Sequence, residues 1–142
     1  MNDYPKKIIL ALIEAFKGNE EIFQWLIENK PELAAFVNNY KNKDLQAMKW
    51  LVDKKYTELY SIIYAIDGIP DAFKWLKIYD YKVSAIIVLA TRGDDDAMSW
   101  LYKNDIYIFE LAKELRRIYN AREEEDNDFF VIMKRSLNPF AK

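Results

Sequence analysis

Three tyrosines spaced four residues apart form the stretch of this chain best suited to contacting another molecule: Tyr56, Tyr60 and Tyr64. In a helix, residues four apart lie on the same side, so the three phenol rings form one stripe. Tyrosine combines a large apolar ring with a hydroxyl and is enriched among the residues that dominate protein interfaces. We therefore predict that this tyrosine stripe binds a partner. The alternative is that its rings fill gaps between successive helices.

Two acidic runs offer carboxylates for a cation or a basic partner. The run Asp94-Asp95-Asp96 lacks the ligand-bearing loop with a turn glycine that a calcium site needs, so we interpret it as a helix N-terminal cap. The second run occupies residues 123–126 and 128, all Glu or Asp. Because negative charge is unfavourable at a helix C-terminus, we expect the preceding helix to end before this run. The run is then a solvated connector, with contact to a basic partner as the alternative.

The only arginine cluster consists of Arg116, Arg117 and Arg122. Guanidinium groups could bind an anion or a phosphate. The more common arrangement is the solvated face of an amphipathic helix, on which these arginines pair with Glu110 and Glu114. We expect that arrangement here.

Several kinds of chemistry are excluded by composition. The chain has no cysteine and no histidine, which removes thiolates, imidazole bases and the commonest transition-metal ligands. No glycine-rich phosphate loop or nucleophile elbow is present. We therefore expect no enzyme activity, no cofactor and no metal. A hydrolase that uses paired carboxylates is the weakest alternative, since sequence alone cannot place two of them across a cleft.

The architecture that positions these residues is a repeat of 25 residues. The dipeptide Trp-Leu begins at residues 25, 50, 75 and 100, and these are the only tryptophans. All three glycines, Gly18, Gly68 and Gly93, also share one phase of the repeat, in which Lys43 takes the remaining place. A fixed period of this length is typical of stacked helical repeats.

Each repeat begins with a signal for a helix start. Glycine suits the left-handed end of one helix, and Asn19, Asp44 or Asp94 then caps the next. The third repeat has Pro70, which suits a first helical position. We predict short helices beginning near residues 20, 45, 70 and 95, each followed by a tight turn and a second helix. No stretch alternates as a strand would.

These patterns predict an all-α fold: a short α-solenoid, or α-α superhelix, of four helix-turn-helix repeats in one domain. Residues 1–18 form an N-terminal half-repeat helix, and the repeats occupy 19–43, 44–68, 69–93 and 94–118. An extension and a C-terminal capping helix occupy 119–142, with residues 129–137 as the apolar helix. We expect each tryptophan to be buried between repeats, so that truncation to Ala costs about 3–5 kcal/mol.

The functional prediction is a non-catalytic protein-interaction or scaffold module that binds a protein or peptide. The positions of the tyrosine stripe vary between repeats, as a recognition surface would, and in the fourth repeat they include Glu110 and Glu114, which we add to the predicted contact residues. Self-association is left open. An RNA-contacting repeat protein is the alternative, against which the net charge of -2 argues.

The N-terminus carries an apolar run from Ile8 to Ile13 that Glu14 ends too early for a membrane span. No small-residue cleavage site follows it. We expect a cytoplasmic protein without a membrane partner.

Overall fold

A computed structural model describes the backbone of residues 1–137 and the side chains of residues 1–122. This part of the chain is helical and contains no strand, as predicted. In order the helices are α1 (Lys6–Phe16), α2 (Glu20–Asn29), α3 (Pro31–Asn42), α4 (Leu45–Asp53), α5 (Thr57–Ile66), α6 (Pro70–Ile78), α7 (Lys82–Thr91), α8 (Asp95–Asn104) and α9 (Ile106–Leu137). Within residues 1–137, no helix is both long enough and apolar enough to cross a bilayer.

The predicted helix starts are confirmed by their hydrogen bonds. Asn19, Asp44 and Asp94 each accept a backbone N–H from the first turn of the helix that follows, at 2.9–3.2 Å. Pro70 occupies the first position of α6. The run Asp94-Asp95-Asp96 is therefore a cap and first turn, which satisfies amides that the helix cannot pair internally.

The prediction that the glycine position of each repeat takes the left-handed conformation is also confirmed. Gly18, Gly68 and Gly93 all have positive φ, and Lys43 adopts φ 56° and ψ 35° at the end of α3. Lys43 therefore takes the left-handed conformation that glycine takes in the other repeats, at a steric cost that glycine does not have.

Packing divides the helices into two layers. The inner helices are α1, α3, α5, α7 and α9, and each packs on the next along the chain. The outer helices are α2, α4, α6 and α8, and each packs on the two inner helices that flank it in sequence. These contacts between neighbours fit a helical repeat.

The inner layer closes on itself, because α1 also packs along α9. A single-file open stack would leave the first and last inner helices apart, so this contact is a departure from the predicted arrangement. Side chains fill the inside of the ring: Phe16 meets the rings of Phe36 and Tyr40 edge-on, at 5.8 Å in each case. The amino group of Met1 donates to Glu58, whose carboxylate also accepts the Ser84 hydroxyl at 2.6 Å.

The prediction of buried tryptophans was wrong. The leucine of every Trp-Leu pair is fully buried, whereas Trp25 is 43% exposed and the other three tryptophans are half-buried. Adjacent helical residues point about 100° apart, so one face holds only one member of the pair. No outer helix packs closely on another outer helix among the described residues, so the second face stays partly in solvent.

The predicted break before a separate capping helix was also wrong. The backbone of α9 is one helix of 32 residues that runs through the acidic run and on to Leu137. Negative charge is unfavourable only near a helix C-terminus, and α9 does not end at the acidic run.

Candidate interaction surface

The tyrosine stripe lies on α5 and on the turn before it, partly in solvent. Tyr56 and Tyr64 are 36% and 38% exposed, and Tyr60 is half-buried against the core. The rings of Tyr60 and Tyr64 meet edge-to-face with centroids 6.3 Å apart. The stripe is therefore neither fully packed nor freely mobile, and its rings are pre-ordered by contacts within the protein.

Tyr56 joins the stripe to the outer layer. Its ring stacks on Trp50 of α4, with centroids 5.7 Å apart and planes 14° apart. The next repeat has the same contact, since Trp75 stacks on Tyr81 at 5.3 Å and 13°. Trp50 and Trp75 are thus part of aromatic pairs on the outer surface. Sequence reasoning missed these pairs, although the six-residue Trp-to-Tyr spacing is common to both repeats.

Tyr64 also borders a cavity of about 590 Å³, which we call the mouth cavity because it lies at the C-terminal ends of α3, α5 and α7. Its charged lining residues are Lys43, Asp67, Arg92 and Arg122. Three cations against one anion leave an excess of positive charge in this lining, on a chain whose net charge is -2. The mouth cavity is therefore a locally cationic pocket beside an exposed phenol.

The two arginines of the mouth cavity are held in place by the backbone. Arg122 donates to the carbonyl oxygen of Tyr40 at 3.2 Å and to Asp67 at 3.1 Å, and its guanidinium lies 4.9 Å from the centroid of the Tyr40 ring. Arg92 donates to the carbonyl oxygen of Ala65 at 3.4 Å. Cations beside the last carbonyls of a helix offset its dipole, and these arginines still have N–H groups left for a ligand.

The arginine cluster behaves only partly as predicted. Arg117 pairs with Glu114, and Lys113 lies 3.4 Å from Glu110. Arg116 instead reaches α7 and α8, where it donates to the carbonyl oxygen of Ala90 at 2.7 Å and to the carboxylate of Asp95 at 3.1 Å. Local spacing found the pairs within α9, but the contacts of Arg116 and Arg122 depend on tertiary packing.

The structure does not bring the two predicted glutamates to the tyrosine stripe. Glu110 and Glu114 lie on α9, which does not pack along α5 within the described residues and reaches the end of α5 at Asp67 through Arg122. Glu110 is exposed, but Glu114 is 8% exposed and paired with Arg117, so its carboxylate offers little surface to a partner. We therefore leave Glu114 out of the candidate surface.

Burial shifts the acid–base behaviour of the Tyr40 phenol, whose ring lies beside Arg122 of the mouth cavity. It raises the pKa of the Tyr40 hydroxyl well above its usual value, an effect that Arg122 opposes and Asp67 reinforces. The group therefore stays protonated and serves as a hydrogen-bond donor. Among the residues with described side chains, no cluster of three or more acidic groups could hold a metal ion.

The sequence matches no protein-family model and no curated protein, and no solved structure matches the fold.

Proposed function

We propose that this protein is a non-catalytic interaction module of solenoid-like helical repeats that binds a peptide segment of a protein partner. The peptide lies along the tyrosine stripe of α5, and an acidic group of the peptide enters the mouth cavity. The observation that carries the proposal is the position of Tyr64, which belongs both to the exposed stripe and to the lining of the cationic cavity.

The chemistry of the two parts supports one kind of ligand. Half-exposed, pre-ordered aromatic rings lose little conformational entropy on binding, which favours contact with apolar side chains. The arginines supply charge-assisted hydrogen bonds to a carboxylate. An acidic peptide with apolar residues beside its carboxylate satisfies both.

The test is selection of binders from a random peptide library displayed on phage, with the full chain immobilised. We expect acidic peptides rich in apolar residues. Their affinity should fall at least about tenfold on Tyr64→Ser and on Tyr60→Ser combined with Tyr64→Ser, and by a similar factor on Arg92→Gln. Tyr102→Ser is the matched control, because Tyr102 is 61% exposed on α8 and does not border the mouth cavity.

Thermal melting of each variant separates binding from folding. Retained cooperative melting with lost binding supports the proposal, whereas loss of cooperative melting in the Tyr64→Ser variant would assign the ring to the core. Peptides that bind the stripe variants as tightly as the wild type would refute it. A single-stranded RNA oligonucleotide bound with a steep salt dependence would favour the RNA alternative instead.

A further inference from the structure

Among the described residues, the inner layer has one helix more than the outer layer. Five inner helices close a ring with five seams between neighbours, and four outer helices cover four of these seams. The seam between α9 and α1 has no outer helix among the described residues. We call it the open seam.

The surface of α1 beside the open seam has the character of a helix-binding groove. Lys7, Leu10, Ala11 and Glu14 form a cavity of about 290 Å³ with Ile22 and Trp25 of α2. Leu10 is 46% exposed and Trp25 is 43% exposed. Two large apolar side chains are thus left in solvent at one place.

The repeat shows what this surface accommodates. The same four positions on α7, which lie 75 residues later, are Lys82, Ala85, Ile86 and Leu89. On α7 these residues border a groove with Phe73 and Lys77 of α6, the outer helix that precedes it. The corresponding face of α1 is therefore the one that a preceding outer helix would meet, and the chain provides none there among the described residues.

The segment that fits this groove is the C-terminal part of α9. This helix has 32 residues, about 48 Å at 1.5 Å per residue, whereas the other inner helices have 10 to 12. Its last part contains the apolar sequence Phe129-Phe130-Val131-Ile132-Met133, preceded by the acidic run. That charge is opposite to the charge of Lys6 and Lys7, which are exposed on α1.

Connectivity decides which copy supplies the segment. The backbone of α9 continues as a helix from Ile106 to Leu137 without a turn. A helix that does not turn cannot fold back to cover the seam beside its own first half. We propose that residues 129–137 of a second copy occupy the open seam, and that the two copies exchange these segments reciprocally in a two-fold symmetric dimer.

The first test is the oligomeric state of the full chain by sedimentation equilibrium. We expect a wild-type mass twice that of one chain, and the mass of one chain for a variant truncated after Arg122 and for Leu10→Glu, with cooperative melting retained in both. Leu89→Glu is the matched control: Leu89 is 39% exposed in the corresponding groove of α7, one turn after the position equivalent to Leu10, yet we expect this variant to remain a dimer.

The second test uses the absence of cysteine in the chain. A Leu10→Cys protein and a Val131→Cys protein, mixed under mild oxidation, should form a disulfide between the two different chains. A wild-type monomer at every concentration would overturn the proposal, as would a dimer that survives the truncation. A disulfide formed within a single chain that carries both Leu10→Cys and Val131→Cys would also overturn it.

Discussion

The hydroxyl of Tyr40 on α3 donates a hydrogen bond to the carbonyl oxygen of Leu115 on α9, 2.7 Å away, across the inside of the ring. These two helices are separated in the ring by α1, which packs on both. Tyr40 is fully buried, and its own carbonyl oxygen accepts a hydrogen bond from Arg122 of α9. One residue therefore connects the second inner helix with the last at both its side chain and its backbone.

Tyr40→Phe should lower the free energy of unfolding by about 0.5–1.5 kcal/mol, because it removes one buried hydrogen bond, although the carbonyl oxygen of Leu115 keeps its helical N–H partner within α9. Urea denaturation followed by circular dichroism measures the change. Tyr102→Phe, at an exposed site, should leave the transition where it is. An unchanged midpoint for Tyr40→Phe would mean that water replaces the hydroxyl.

Stability should fall at alkaline pH because of the same hydroxyl. Its folded pKa is raised above the unfolded value of about 10, mainly by burial, so the folded state keeps a proton that the unfolded state loses. The contribution is fully present below pH of about 10 and is lost as the pH rises toward the folded pKa. Tyr4, whose pKa burial also raises, acts in the same direction.

The measurement is the melting temperature between about pH 9 and pH 11 for wild type and Tyr40→Phe. We expect a shallower decline in the variant, which has lost one of the two shifted phenols. Parallel curves would show that Tyr40 does not contribute to the alkaline loss.

Within each Trp-Leu pair, the smaller residue should matter more for folding. Leu26→Ala should cost about 2–5 kcal/mol, because Leu26 is fully buried and its truncation leaves a cavity. Trp25→Ala removes a ring that is 43% exposed and should cost less than about half of that. Chemical denaturation of the two variants provides a matched comparison at neighbouring positions. A larger loss of stability for Trp25→Ala than for Leu26→Ala would indicate that the tryptophan is the main contact between repeats.

Lys43→Gly should stabilise the protein by about 0.5–1 kcal/mol, since φ of 56° carries a steric cost for lysine that glycine does not have. Gly93→Ala is the control in the opposite direction. A Cβ on Gly93 would meet no atom within 4 Å, so its destabilisation would come from φ of 111° alone. Thermal melting shows whether each variant is more or less stable than the wild type. A lower melting temperature for Lys43→Gly would show that the lysine side chain makes a contact that outweighs the backbone strain.

Sequence predicted the parts of the fold that depend on neighbouring residues. The caps at Asn19, Asp44 and Asp94, the proline start of α6 and the left-handed Lys43 all follow from which side chain can satisfy a helix end. The turns after α4 and α6 were predicted, but the positive φ of Lys55 and Asp80 was not, since neither residue type signals it as glycine does.

What sequence could not predict depends on the rotation of each helix about its axis and of each repeat relative to the next. A 25-residue period predicts similar environments for the four Trp-Leu pairs, but it does not indicate which residue of the pair faces inward. The contact between α1 and α9 results from the small rotations between successive repeats added together, and no single repeat specifies that total. For the candidate surface, sequence identified the tyrosine stripe but missed Arg92 and the cavity, whose residues come from separate repeats.

The closing contact also fixes how many repeats this architecture can hold. Five inner helices that complete a circle turn by about 72° at each step, so a sixth would have no gap to enter. Duplication of one 25-residue unit, which an open array absorbs by growing longer, would here force α1 away from α9 and separate Tyr40 from Leu115. We therefore expect such a protein to tolerate substitution on its surface better than the addition or loss of one 25-residue unit.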